Sequence, residues 1–263
     1  MGSVKSRDGT VIAYDKKGEG PPLVLVDGAL MTRGAGRKAE LVEQLCPHFT
    51  VLSYDRRGRG ESGDAPTYEV QREIEDLEAL IGTQGGAAFV YGHSSGACLA
   101  LEASLALGER MLKVALYEAP WNEDAAAQRG WNEYLGQLDG ALARGGRGDA
   151  VALFFRYIGI PAEEVAGLRQ APFWPKLEAV AQTLVYDHAR IMGATAAIPR
   201  QRLSRLQVRV LVMYGTLSQP FMAATACTLS EIIPGAQLRC FDGQAHDVEP
   251  AALAPALTEF FLS

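Results

Sequence analysis

The run Gly92-His93-Ser94-Ser95-Gly96 follows an apolar stretch, Ala87 to Tyr91, and leads directly into a helix of small apolar residues, Ala97 to Leu107. A chain turns from strand to helix this abruptly only where the residues flanking the bend carry no side chains to collide, and the two glycines meet that demand. The serine between them is then lifted out of the sheet with its hydroxyl exposed. The helix behind it offers unpaired N–H groups and the positive end of its dipole, both suited to a negative charge forming nearby. Gly and Ser also cluster in ordinary turns, so the flanks have to decide. The preceding run reads as a buried strand. The following helix carries Leu99, Leu101, Leu105 and Leu107 with Glu102 as its one charge, a pattern of burial on nearly every side.

Around this turn the elements alternate. Strands are expected at Thr10–Lys16, Leu23–Asp27, Phe49–Asp55, Ala87–Tyr91, Lys113–Glu118, Val208–Tyr214 and Gln237–Phe241. Helices are expected at Arg37–Leu45, Tyr68–Ile81, Ala97–Leu107, Pro220–Ile233 and Pro250–Phe261. Repeated strand-helix alternation implies an α/β fold: a mostly parallel sheet with helices on both faces.

One stretch breaks the pattern. From Trp121 to Arg205 the helix-like segments Asp124–Leu142, Asp149–Ile158, Glu163–Leu168 and Leu177–Met192 follow one another with no convincing strand. A helical insertion between two sheet strands is read as a cap over the strand ends, where open α/β sheets bind ligands. The resulting division is residues 1–120 (first part of the core), 121–205 (cap) and 206–263 (second part of the core). All three tryptophans fall in the cap, and Trp121, Trp131 and Trp174, with Phe154, are expected to line an apolar substrate pocket.

A formal charge of -6 argues against a surface for nucleic acid or anionic membrane. No apolar run approaches the ~20 residues of a membrane span, and the first ten residues lack a signal-peptide apolar region, so the cytoplasm is the expected location. Cys46, Cys98, Cys227 and Cys240 lack metal-ligand spacing and are read as reduced core thiols. The expected partner is a small molecule, with no metal or cofactor; the oligomeric state is left open.

Four marks in order along nearly the whole chain resemble the α/β-hydrolase superfamily, in its helical-cap, esterase-like group. They are the Asp27-Gly28-Ala29 turn, the run Tyr54-Asp55-Arg56-Arg57-Gly58-Arg59-Gly60-Glu61-Ser62, the serine turn, and Gly243-Gln244-Ala245-His246. The resemblance implies a serine hydrolase acting on an ester or related acyl bond. The same scaffold hosts C–C bond hydrolases, cyclases, cofactor-free perhydrolases and non-catalytic binders, which stay open as alternatives.

Within that frame Ser94 is the nucleophile and needs a base to take its proton. Of four histidines, His93 is expected to face the other side of the strand, His48 precedes a strand far from the serine turn, and His188 lies mid-helix in the cap. His246, on the loop after the last strand, matches the superfamily's base. The usual acid would fall near Ser218, where this chain has no carboxylate. Glu118, at the end of the preceding strand, is the expected substitute; Asp124 and a dyad without a carboxylate are the other possibilities. The backbone N–H groups of Ala29 and Ser95 are expected to form the oxyanion hole. Asp27 stands where the superfamily usually has histidine. Its charge would oppose an oxyanion unless paired, with Arg33 and Arg56 as candidate partners. The arginine-rich run Asp55–Ser62 is read as a loop locked by ion pairs.

Overall fold

The computed structural model describes residues 1–263. Its eight strands are β1 (Gly2–Lys5), β2 (Val11–Lys17), β3 (Pro22–Val26), β4 (Thr50–Tyr54), β5 (Ala88–His93), β6 (Met111–Tyr117), β7 (Arg209–Gly215) and β8 (Gln237–Phe241). They form one sheet in the order β1-β2-β4-β3-β5-β6-β7-β8. The pairs β1–β2 and β2–β4 are antiparallel and the other five are parallel. The seven strands expected from the sequence all form. β1 was not anticipated, because a four-residue edge strand of half-buried and exposed residues carries too little apolar periodicity to read.

Helices α1 (Lys38–Leu45), α2 (Val70–Gly82) and α3 (Ser95–Leu107) lie before the insertion. The insertion itself holds α4 (Ala125–Ala143), α5 (Arg147–Tyr157), α6 (Ala162–Leu168), α7 (Trp174–Ala179), α8 (Thr183–Val185), a π-helical turn (Tyr186–Ile191) and α9 (Arg200–Leu203). After it come α10 (Pro220–Ile232) and α11 (Pro250–Leu262).

Alternation along the strands divides the interior. Val24, Val26, Val90, Val114, Leu116, Val210 and Val212 point into a cluster of 46 buried residues shared with α2, α3 and the insertion. Leu23, Leu25, Tyr91, Ala115, Tyr117, Leu211 and Met213 point the other way, into a cluster of 20 packed on α1 and α11. Central strands buried on both faces are what a parallel α/β sheet requires. None of the helices is long and apolar enough to cross a membrane.

Three local expectations are corrected. The single helix read over Leu177–Met192 is interrupted, with α7 and α8 separated and a π-helical turn following them. A π turn takes an extra residue and redirects its side chains, and here Asp187 and His188 end up buried. Asp124 is occupied as the N-cap of α4, where its Oδ1 accepts from the N–H groups of Ala126 and Ala127 at 2.9 Å. Cys240 is exposed on the outer strand β8 rather than in the core, and all four cysteines are unpaired.

Candidate active site

Ser94 sits between β5 and α3 with φ 56° and ψ −130°, a conformation that an L residue adopts only where its surroundings impose it. The glycines on each side permit it. A Cβ on Gly92 would stand 2.6 Å from the Gly96 carbonyl oxygen, and one on Gly96 would collide with the Val26 carbonyl. The N–H of Ser94 donates to the Tyr117 carbonyl at 2.9 Å, which ties the turn to the end of β6.

Glu118 follows β6 directly, also with a positive φ of 50°. That turn sends its side chain across to the His246 loop. His246 Nδ1 lies 2.6 Å from Glu118 Oε2, and the N–H of Gly215 donates to Oε1 at 2.8 Å. The Glu118 side chain is fully buried, whereas 43% of the His246 side chain is exposed. Burial would raise the Glu118 carboxyl, but His246, the Ser218 hydroxyl and the Gly215 N–H outweigh it and hold the group below its ordinary value. Ser218 is thus a neighbour of the carboxylate, although its own hydroxyl completes no geometric hydrogen bond.

The His246 loop is fastened by its backbone. Leu217 N–H donates to the Gln244 carbonyl at 2.9 Å, Tyr117 Oη to the Ala245 carbonyl at 2.8 Å, and His93 Nε2 to the His246 carbonyl at 2.9 Å. The expectation that His93 faces away from the chemistry is therefore corrected: its ring centroid lies 4.7 Å from that of His246. Burial, reinforced by His246, pushes the His93 imidazole down to about 4, so it is neutral and its Nε2 carries the proton given to the carbonyl. Tyr117 and His93 were missed as supports because a backbone acceptor on a distant loop leaves no mark in the sequence. The structure brings Ser94, His246 and Glu118 to the same end of β5 and β6, with no hydrogen bond between Ser94 Oγ and the imidazole.

On the other side of Ser94 stands the turn after β3. A Cβ on Gly28 would lie 2.8 Å from Ser94 Cβ, so only glycine lets this turn approach so closely. Ala29 and Ser95, the residues expected to supply oxyanion donors, flank that contact in sequence. Asp27 is ion-paired with Lys38 of α1, which corrects both partners suggested for it. Arg33 instead engages Asp55, Asp15 and Glu61. Arg56 reaches Asp27 only at its main-chain carbonyl, 3.0 Å from Nη1.

The arginines of the Asp55–Ser62 loop are buried and paired. Arg56 binds Glu73 through two bonds of 2.6 Å and Asp187 through another of 2.6 Å. Arg57 binds Asp76 at 2.7 and 2.8 Å. Arg59 binds Asp187 and the Gly28 carbonyl. The Arg56–Glu73 and Arg57–Asp76 pairs are forked guanidinium–carboxylate bonds of the kind that fix a loop in one geometry.

The aromatic residues of the insertion pack largely on one another and on His188. Trp131 packs on Tyr134, Tyr157 and His188 and donates to the Gly193 carbonyl at 2.9 Å. Trp174 packs on Phe155 and donates to Glu178 at 2.7 Å. Trp121 borders a cavity of about 850 Å³ lined by Ile74, Glu102, Met192 and Arg202, in which Ser94 takes no part. Phe154 is half-buried with its ring 5.0 Å from that of His188. All three indoles are buried, in packing that holds the insertion together. Exposed apolar surface near the His246 loop comes from Leu217, 70% exposed, and from Ile158, whose carbonyl accepts from Gln219.

A family model described as the alpha/beta hydrolase family matches residues 29–256. The chain is similar to a solved alpha/beta hydrolase from Sphaerobacter thermophilus DSM 20745, with 48% identity, a TM-score of 0.89, and 99% of this chain and 100% of that one covered. At 21% identity and a TM-score of 0.74 it shares the fold of the esterase RhEst1 from Rhodococcus sp. ECU1013, covering 100% of this chain and 98% of that one. Among curated proteins it is 26% identical, over 91% of its own length, to the dihydrolipoyllysine-residue acetyltransferase component of the acetoin cleaving system of Cupriavidus necator. The chain spans 62% of that relative's length.

Proposed function

The chain belongs to the alpha/beta hydrolase family, and from that premise we propose that it is a serine hydrolase that cleaves an ester or related acyl bond of a small apolar substrate through an acyl-enzyme. The observation that carries this reading is the Glu118–His246 pair at 2.6 Å, on loops adjoining the strained serine. A carboxylate accepting from Nδ1–H leaves Nε2 unprotonated and able to act as base.

In the proposed reaction His246 Nε2 takes the Ser94 proton as Oγ attacks the substrate carbonyl. The Ala29 and Ser95 N–H groups stabilise the oxyanion, and the imidazolium, steadied by Glu118, protonates the leaving group. Water activated by the same imidazole then releases the acyl group. The Ser94–His246 bond would form as substrate seats, since catalytic hydrogen bonds tighten in the Michaelis complex. The exposed ring has room for that adjustment. The Asp27–Lys38 contact is compatible with hydrolysis: burial pushes the Lys38 amine down to about 7, and whether as cation or as proton donor it opposes the field of a bare carboxylate. The apolar rim at Leu217 supports a substrate with a hydrocarbon part.

A fluorophosphonate probe should label Ser94, and Ser94→Ala should lose both labelling and turnover of short nitrophenyl esters. Turnover that persists in Ser94→Ala rules the acyl-enzyme out. Cleavage of β-diketones in preference to esters would move the reading to C–C hydrolysis, and stoichiometric labelling without repeated turnover would move it to a binding protein.

A further inference from the structure

Asp187 is the one acid of the π-helical turn, is fully buried and belongs to the insertion, yet its side-chain bonds all run to the two backbone segments beside Ser94 or to the arginines that hold them. Ser95 Oγ donates to Oδ1 at 2.8 Å. Arg56 Nη1 donates to the same oxygen at 2.6 Å and to the Asp27 carbonyl at 3.0 Å. Arg59 Nη2 binds Oδ2, and its Nη1 donates to the Gly28 carbonyl at 2.6 Å.

The last of these has a geometric consequence. No peptide bond in the chain is cis, so the Gly28 carbonyl and the Ala29 N–H share one plane and point in opposite directions. Holding the carbonyl on Arg59 therefore aims the Ala29 N–H away from the arginine. The other donor, the Ser95 N–H, belongs to the residue whose own hydroxyl is fastened to Asp187.

We infer that Asp187 is a positioning residue: through Ser95 Oγ on one side and Arg59 and Arg56 on the other, this carboxylate from the insertion fixes the orientation of both oxyanion donors. The inference rests on the proposal that Ala29 and Ser95 are those donors. Burial alone would raise the Asp187 carboxyl, but Arg56 and Arg59 hold it below its ordinary value, so the anion the clamp needs is the form present. A donor must be in place before the transition state, since reorienting it during reaction forfeits most of its value. The clamp thus couples correct seating of the insertion to competence of the site.

The test uses full-length protein with two readouts. The first is hydrogen exchange at the Ala29 and Ser95 amides, followed by NMR in wild type, Asp187→Asn and Ser95→Ala. Asp187→Asn should speed exchange at both amides by about tenfold or more while central sheet amides keep their wild-type rates. Ser95→Ala, which leaves every arginine pair in place, should speed exchange at residue 95 alone. The second readout is ester kinetics, where kcat should fall by about 10- to 100-fold in Asp187→Asn and by less in Ser95→Ala, with KM little changed.

Wild-type exchange at both amides in folded Asp187→Asn overturns the clamp. So does a uniform rise across the sheet, which would mark a general structural role. Should Asp187→Asn fail to fold, Ser95→Ala and Arg59→Lys read the two arms separately, and unchanged exchange in both overturns it. If wild type turns over no ester, the proposed function fails, whereas the exchange comparison still decides the clamp.

Discussion

On one side of Ser94 the His246 ring is 43% exposed and has a single carboxylate partner, while on the other Arg56, Arg59 and Asp187 are at most 1% exposed and bonded to one another and to the backbone. The contrast fits the two tasks proposed for these groups. A group that passes protons between serine, leaving group and water has to be reached by all of them, so it stands on a loop with room to move. Backbone donors for an oxyanion work only when held still, and on the proposed assignment the buried bonds of Arg56 and Arg59 to Asp187 would hold them. Flexibility and rigidity are thus divided between two faces of the same hydroxyl.

The sharpest test of that division is Glu118→Gln. It should cut kcat by about 10^3 to 10^4 while leaving the melting temperature nearly unchanged, because an amide can still accept from Gly215 but no longer stabilises an imidazolium. A near-wild-type rate would hand the orienting role to another group. Arg56→Met should do the reverse, with stability falling by about 3–5 kcal/mol in urea unfolding as Glu73 and Asp187 lose a buried partner. If the midpoint stays put, the buried side is not held by its ion pairs.

The smallest effect concerns pH. His188 is 4% exposed, and burial pushes its imidazole down to about 4 from an ordinary 6.5. Below pH 6.5 the unfolded chain then binds a proton that the folded chain refuses, so stability due to this residue is lost as pH falls towards 4. His188→Gln removes that penalty, and the stability gap between wild type and variant should narrow by about 1 kcal/mol between pH 7 and pH 5.5. Asp76, pushed up to about 6 by burial, has the opposite dependence but is common to both proteins and cancels. A gap independent of pH would mean that His188 is as easily protonated folded as unfolded.

Much of this could be read before any coordinates. The strand-turn-helix around Ser94, seven of the eight strands and the helical insertion all leave periodic or glycine signals in neighbouring residues. The meeting of Glu118 with His246 was legible too, since Glu118 is a carboxylate at the end of β6 and the loop after β7 offers Ser218 in place of one. What escaped were contacts between residues far apart in sequence. His93 and Tyr117 donate to carbonyls of the His246 loop, Lys38 rather than an arginine meets the Asp27 carboxylate, and Asp187 arrives from the middle of a helix that the sequence draws as unbroken.

The sequence by itself determined the sheet, the bend at Ser94 and the residue types available at the strand ends, because strand period, helix period and glycine geometry act over a few neighbouring residues. Only the tertiary structure decided which charges meet and which rings the three buried tryptophans pack against. Pairing across more than a hundred residues, as between Arg59 and Asp187 or Glu118 and His246, depends on how whole elements are stacked, and no local pattern records it.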